Sequence, residues 1–196
     1  MILSKKDYLE YLEADRLALN KPKLTFISIL KETLSRDFLW KFQRMLRRCE
    51  YYRNVKAPHS VFYKLIYFYY KIRFKNLSIK LGFTIPENVF GPGLAILHYG
   101  TLIVNAKTKV GSNCRIHANT NIGESGGTPG APTIGDNVYI APGVKIFGNI
   151  NIPSNTAIGA NAVVNKSFYN ENMLLAGCPA KELKTINIKQ IIKHIP

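Results

Sequence analysis

From Val104 onward an aliphatic side chain recurs at every sixth residue: Val104, Val110, Ile116 and Ile122, then Ile134, Ile140, Ile146, Ile152, Ile158 and Val164. An α-helix does not have that period, and neither does an alternating β-strand. A small residue commonly follows the aliphatic, as at Gly111, Gly123, Gly135, Ala141 and Gly159. Four places after the aliphatic stands a compact or apolar residue, among them Thr108, Cys114, Thr120, Val138, Val144, Ile150, Thr156 and Ala162. A chain that sends one aliphatic inward and then turns a corner every six residues folds as a parallel β-helix of hexapeptide repeats. Three hexapeptides close a triangular coil, so residues eighteen apart are expected to stack, with about 4.8 Å from coil to coil.

Two places break this lattice. Between Ile122 and Ile134 one hexapeptide lacks its aliphatic, and residues 124–133 read ESGGTPGAPT. Glycine and proline at that density predict an exposed loop. It is either a neutral insertion, which repeat proteins tolerate, or a flap covering a cleft against a neighbouring subunit; the six-residue phase resumes after it. The second break is His98, six before Val104, where an aliphatic is expected. Gly91, Gly93 and Gly100 surround it and let the backbone bulge, turning the imidazole outward. A lone histidine in a repeat is more often structural than catalytic. Counting by eighteens, however, places His98 in one column with Ile116 and the end of the loop, and His117 about one coil away. Two histidines and a glycine loop are thus expected at one corner.

Residues 1–82 have a helical period instead. Ser4 with Asp7 resembles a capping box before Tyr8, Leu9, Leu12 and Leu17. Second and third amphipathic segments are expected over 25–54, marked by Phe26, Ile29, Leu30, Leu34, Phe38, Phe42, Met45 and Leu46, and over 60–81, stopped by Gly82. The reading is α+β: helices over 1–82, a β-helix over 83–170 and a tail over 171–196. Residues 1–90 hold 18 Lys/Arg against 8 Asp/Glu, a net of +10, and the rest of the chain adds 9 against 4, a net of +5. That field favours polyanions without choosing among them. The helical part mixes its cations with Tyr51, Tyr52, Tyr63, Tyr67, Phe68, Tyr69 and Tyr70. Either the rings pack inward under solvated charges, or the helices form a platform for an anionic glycan or a lipid-linked oligosaccharide, with peripheral association with an anionic membrane. No nucleic-acid-binding motif is present. Cys49, Cys114 and Cys178 make no metal or disulfide pattern. Without an apolar leader block or a spanning segment, a cytoplasmic protein, at most at the inner membrane face, is expected.

At this point the motifs become recognisable. GPGLAILHYGTLIVNAKTKVGSNCRIHANTNIG, PTIGDNVYIAPGVKIFGNINI, AIGANAVV and AGCPAK resemble the serine acetyltransferase branch of the hexapeptide-repeat acyltransferases over residues 82–186. The resemblance implies a left-handed coil and a homotrimer, or a higher-order assembly through the N-terminal helices. It implies acetyl-coenzyme A as cosubstrate, lying between adjacent prisms, with no metal. His98 would then be the general base that deprotonates an acceptor hydroxyl for direct transfer. Backbone at Gly126, Gly127, Ala141, Gly159 and Ala160 would border the coenzyme, and Lys166 and Lys181 would meet its phosphates.

Four positions depart from the serine enzymes: Leu97 and Phe83 replace two Asp, and Gly130-Ala131 replace an Arg-His pair. Glu124, Tyr99 or a backbone carbonyl is then left to hold the imidazole, with His117 beside it. An ammonium or carboxylate buried without a partner is costly, so free L-serine is expected to be a poor acceptor. A sugar hydroxyl of a capsular or exopolysaccharide is expected instead, on the likeness of the HYG motif to such O-acetyltransferases. Serine O-acetylation is the alternative enzyme reading, and a non-catalytic scaffold or glycan-binding module the alternative from another class. A zinc site would need three convergent histidines, but His59 and His194 lie outside the repeat.

Overall fold

The computed structural model describes residues 1–23, 25 and 37–195. Helix α1 (Lys5–Ala18) starts as its sequence predicts: Ser4 Oγ accepts the Asp7 N–H at 3.0 Å, and Asp7 accepts the Leu3 N–H at 2.8 Å. Helix α2 (Phe38–Tyr51) is capped by Asp37, which accepts from Trp40 N–H. Phe26, Ile29, Leu30 and Leu34 of the expected longer segment lie outside the described residues. Helix α3 (Val61–Leu81) ends on Gly82 in the left-handed conformation, φ 75°.

Beyond Gly82 short strands stack into three sheets, the faces of a prism. Face one holds β1 (Phe83–Thr84), β3 (Leu102–Val104), β6 (Thr120–Gly123), β9 (Lys145–Phe147) and β12 (Val163–Val164). Face two holds β4 (Lys109–Val110), β7 (Thr133–Ile134) and β10 (Asn151–Ile152). Face three holds β2 (Ala95–Ile96), β5 (Arg115–Ile116), β8 (Tyr139–Ile140), β11 (Ala157–Ile158) and β13 (Met173–Gly177), with β14 (Ala180–Thr185) as its antiparallel edge. The aliphatic of each hexapeptide points inward, and these side chains form one continuous core. Each contributes about 1.5–3 kcal/mol by leaving water.

Two sequence details acquire a cause here. Gly91, Gly111 and Gly135 are stacked at one corner, where a Cβ would lie 2.6–2.8 Å from backbone of the next coil, so no larger residue fits. Asn113, Asn137 and Asn155 all have positive φ, and their side-chain amides form a ladder at 2.9 Å per step.

The first coil has no coil above it, and helical side chains take over its hydrogen bonds. Gln43 donates to Leu94 O and accepts from Ile96 N–H, at 2.7 and 2.9 Å. Asp15 accepts the Gly93 and Leu94 N–H groups, at 2.9 and 2.8 Å. Arg47 donates to Phe90 O and Gly91 O, and Glu50 accepts from Asn88 N–H. All four side chains are buried. An open strand edge invites pairing with another chain; here α1 and α2 close it.

The residue counts between stacked positions correct the column arithmetic. Val104 pairs with Ile122, eighteen residues on, but Ile96 pairs with Ile116, twenty on. Val110 pairs with Ile134, twenty-four on, and Ile116 with Ile140. His98 therefore does not share a column with Ile116 and Ile134: Ile96 fills the inward place, and the corner after it is two residues longer than a standard one. The loop adds a whole hexapeptide to the corner between faces one and two, so the aliphatic period is kept while the coil grows.

Candidate active site

The corner joining face three to face one gathers the residues of interest. His98 follows β2 on the lengthened turn, exposed to solvent, and Tyr99 beside it is 54% exposed. Gly100 has φ 125°, a value that glycine adopts without strain. One coil on, His117 follows β5, and the two imidazole rings are 5.5 Å apart between centroids. Tyr139 from β8 meets the other side of His117 edge-on at 5.1 Å.

Along the same corner the backbone continues as a ladder. His117 N–H donates to Ile140 O at 3.1 Å, Ala141 N–H to Ile158 O at 3.0 Å and Gly159 N–H to Leu175 O at 2.8 Å. Ala141 and Gly159 thus run down the prism below the histidines, and Ala160 is exposed just after them. Lys166 and Lys181, distant in sequence, line one groove of about 400 Å³ at the last coil, together with Phe168, Tyr169 and Glu182.

Other expected partners lie elsewhere. Glu124 stands at the far end of face one, paired with Lys107 at 2.7 Å, and that ammonium holds its carboxyl below the usual range. It is therefore not the group that orients His98 within one chain. Gly126 and Gly127 belong to the same distant corner, in the turn closed by the Ser125–Thr128 bridge, with open space around both. The expectation of a single corner holding both histidines and the loop is corrected: the corners are the two ends of face one.

His194, which its sequence position leaves outside the repeat, returns to the prism on the tail. There Ile188, Ile192 and Ile195 pack against Ala157 and Tyr139, and Arg115 donates to Ile191 O. Burial, with Arg115 nearby, pushes the His194 imidazole below its ordinary value. Burial also lowers His117, helped by His98 and Arg115. Its Nε2 is buried without a hydrogen-bond partner among the described residues. Among those residues no three His, Cys, Asp or Glu side chains gather as a metal site would require.

These shifts set a sign. A histidine whose folded value is depressed contributes stability above its unfolded value of about 6.5, and that contribution is lost as pH falls through the folded value. Thermal melts are expected to show a smaller loss of Tm on acidification for His117→Gln than for the unaltered chain. An identical pH dependence would contradict the lowered titration of this half-buried imidazole.

Three parallel faces closed by hexapeptide corners define a left-handed β-helix of the hexapeptide-repeat type. The chain resembles serine acetyltransferases in both sequence and structure. Over 84 residues it is 42% identical to the serine acetyltransferase of Staphylococcus epidermidis, a stretch covering 42% of this chain and 39% of that one. It superposes on the Neisseria gonorrhoeae serine acetyltransferase with TM-score 0.68 at 25% identity, covering 93% of this chain and 68% of that one. The Brucella abortus serine acetyltransferase in complex with coenzyme A gives 0.69 at 23% identity, covering 93% and 70%. No protein-family profile matches. The aligned stretch is about two fifths of the length of the curated relatives it matches. Together these likenesses support a hexapeptide-repeat acyltransferase. They overturn the expected polysaccharide acceptor, because the relatives found by sequence and by structure are serine acetyltransferases.

Proposed function

We propose that this chain transfers an acetyl group from acetyl-coenzyme A to a hydroxyl, with L-serine as the acceptor and His98 as the general base. The observation that carries the reading is the exposed imidazole on a lengthened corner, at the head of a backbone ladder, within a chain similar to serine acetyltransferases.

Acetyl-coenzyme A supplies the activated acetyl thioester. His98 takes the hydroxyl proton as the oxygen attacks, and the imidazolium returns a proton to the departing thiolate, so no acyl-enzyme is needed. Backbone at Ala141, Gly159 and Ala160 borders the coenzyme, and Lys166 and Lys181 face its phosphates. Because the histidine corner and the glycine loop sit at opposite ends of face one, a site that uses both takes them from two copies. A homotrimer of prisms, with the loop of one against His98 of the next, fits that demand.

Thiol release from acetyl-coenzyme A in the presence of L-serine tests the reading. Serine-dependent release supports it; its absence, with coenzyme binding intact, would sink the serine assignment. If acetyl-coenzyme A also fails to raise Tm, the chain is a scaffold without catalysis. Lys181→Ala is expected to raise KM for acetyl-coenzyme A about three- to tenfold with kcat retained, the mark of a contact made equally in ground and transition states.

A further inference from the structure

Helix α3 is apolar on two opposite sides. Tyr67, Tyr70, Phe74, Leu77 and Leu81 pack against the core. Val61, Leu65, Phe68, Ile72 and Ile79 face away from it and are exposed by 72, 65, 63, 47 and 71%. At about 100° per residue these five fall within roughly 60° of arc, a stripe along nearly the whole 21-residue helix. Phe62 and Tyr69, also exposed, widen it. The sequence left open whether the rings pack inward under solvated charges, and on this face they do not.

Cations border the stripe on both sides, Lys64 and Lys75 on one and Arg73 and Lys80 on the other, and α3 contains no Asp or Glu. Beside Arg73 and Lys80 opens a cavity of about 410 Å³ between α2 and α3, to which Lys41, Arg44 and Arg48 contribute over a floor of Phe38, Met45 and Leu77. No carboxylate lines it among the described residues.

We propose that α3 is a docking surface for an anionic phospholipid bilayer. The apolar stripe seats at the boundary of headgroups and acyl chains, and the flanking cations and the basic cavity meet lipid phosphates. Charge selects this occupant. A second copy laid on the same stripe would set two rows of cations against each other, with no carboxylate on either helix to answer them. An anionic bilayer satisfies the apolar and the cationic parts together. No described helix is long and apolar enough to cross the membrane, so the contact is peripheral.

Flotation with vesicles tests this independently of the transferase reading, since serine-dependent thiol release is measured on the same preparations. The chain is expected to float with phosphatidylcholine–phosphatidylglycerol vesicles, to stay behind with phosphatidylcholine alone, and to be released by high salt. Leu65→Glu and Phe68→Glu should abolish flotation, and Lys64→Ala with Lys75→Ala should weaken partitioning about fivefold per lysine. All four positions are exposed, so circular dichroism and Tm should stay unchanged. Failure to float with anionic vesicles, or flotation that survives Leu65→Glu, would overturn the proposal. So would self-association removed by Leu65→Glu in a chain that ignores vesicles, which would assign the stripe to a second copy.

Discussion

Replacing His98 by alanine is expected to lower kcat for acetyl transfer by about 10²–10⁴-fold while leaving the affinity for acetyl-coenzyme A within about twofold. The asymmetry follows from where the imidazole stands. It is exposed on a turn lengthened by two residues, whereas the residues proposed for the coenzyme are backbone groups and lysines further down the prism. Truncation there removes a proton acceptor without touching the ladder. Because the side chain fills no core space, Tm should be unchanged, and a loss of activity cannot be put down to unfolding. Binding measured by calorimetry and turnover measured by thiol release separate the two effects. Turnover within threefold of the unaltered chain would remove His98 from the chemistry.

The six-residue period was sufficient to read the prism, because each inward aliphatic is a local necessity repeated many times. Counting back six from Val104 lands on His98, but the inward place belongs to Ile96, so the count misplaces both the histidine and its column. The two extra residues after Ile96 shift the count by two, and the hexapeptide added before Ile134 lengthens its coil while keeping the period; strand pairing reveals both. Counting the end of the loop into the column of His98 brings Glu124 to the wrong corner, whereas its bond to Lys107 follows the eighteen-residue spacing of face one. The sugar acceptor followed from the HYG likeness and from four absent polar side chains; absent groups argue against one binding geometry and carry no positive sign of a sugar. The capping of the first coil was invisible for a different cause. Asp15, Gln43, Arg47 and Glu50 look like ordinary polar positions of amphipathic helices, and their burial depends on how α1 and α2 dock.

That capping makes the strongest stability prediction. Arg47 is fully buried between Asp15, at 2.8 Å from Nε and 3.2 Å from Nη2, and Glu50, at 3.0 Å from Nη1. Burial pushes both carboxyls up while Arg47 pulls them back. Arg47→Met keeps much of the volume but strands two buried carboxylates and frees Phe90 O and Gly91 O, and it is expected to cost about 3–5 kcal/mol in denaturant unfolding. Buried triads can often be exchanged for apolar side chains with little loss. Here the full exchange should recover little, because Asp15 and Glu50 also receive the Gly93, Leu94 and Asn88 N–H groups, which an apolar replacement would leave unsatisfied. Since those groups lie in the coil that carries His98, thiol release by Arg47→Met should fall at temperatures where the rest of the prism is still folded. An Arg47→Met chain as stable as the unaltered one would show that the helices do not hold the first coil, and that the His98 corner keeps its shape without them.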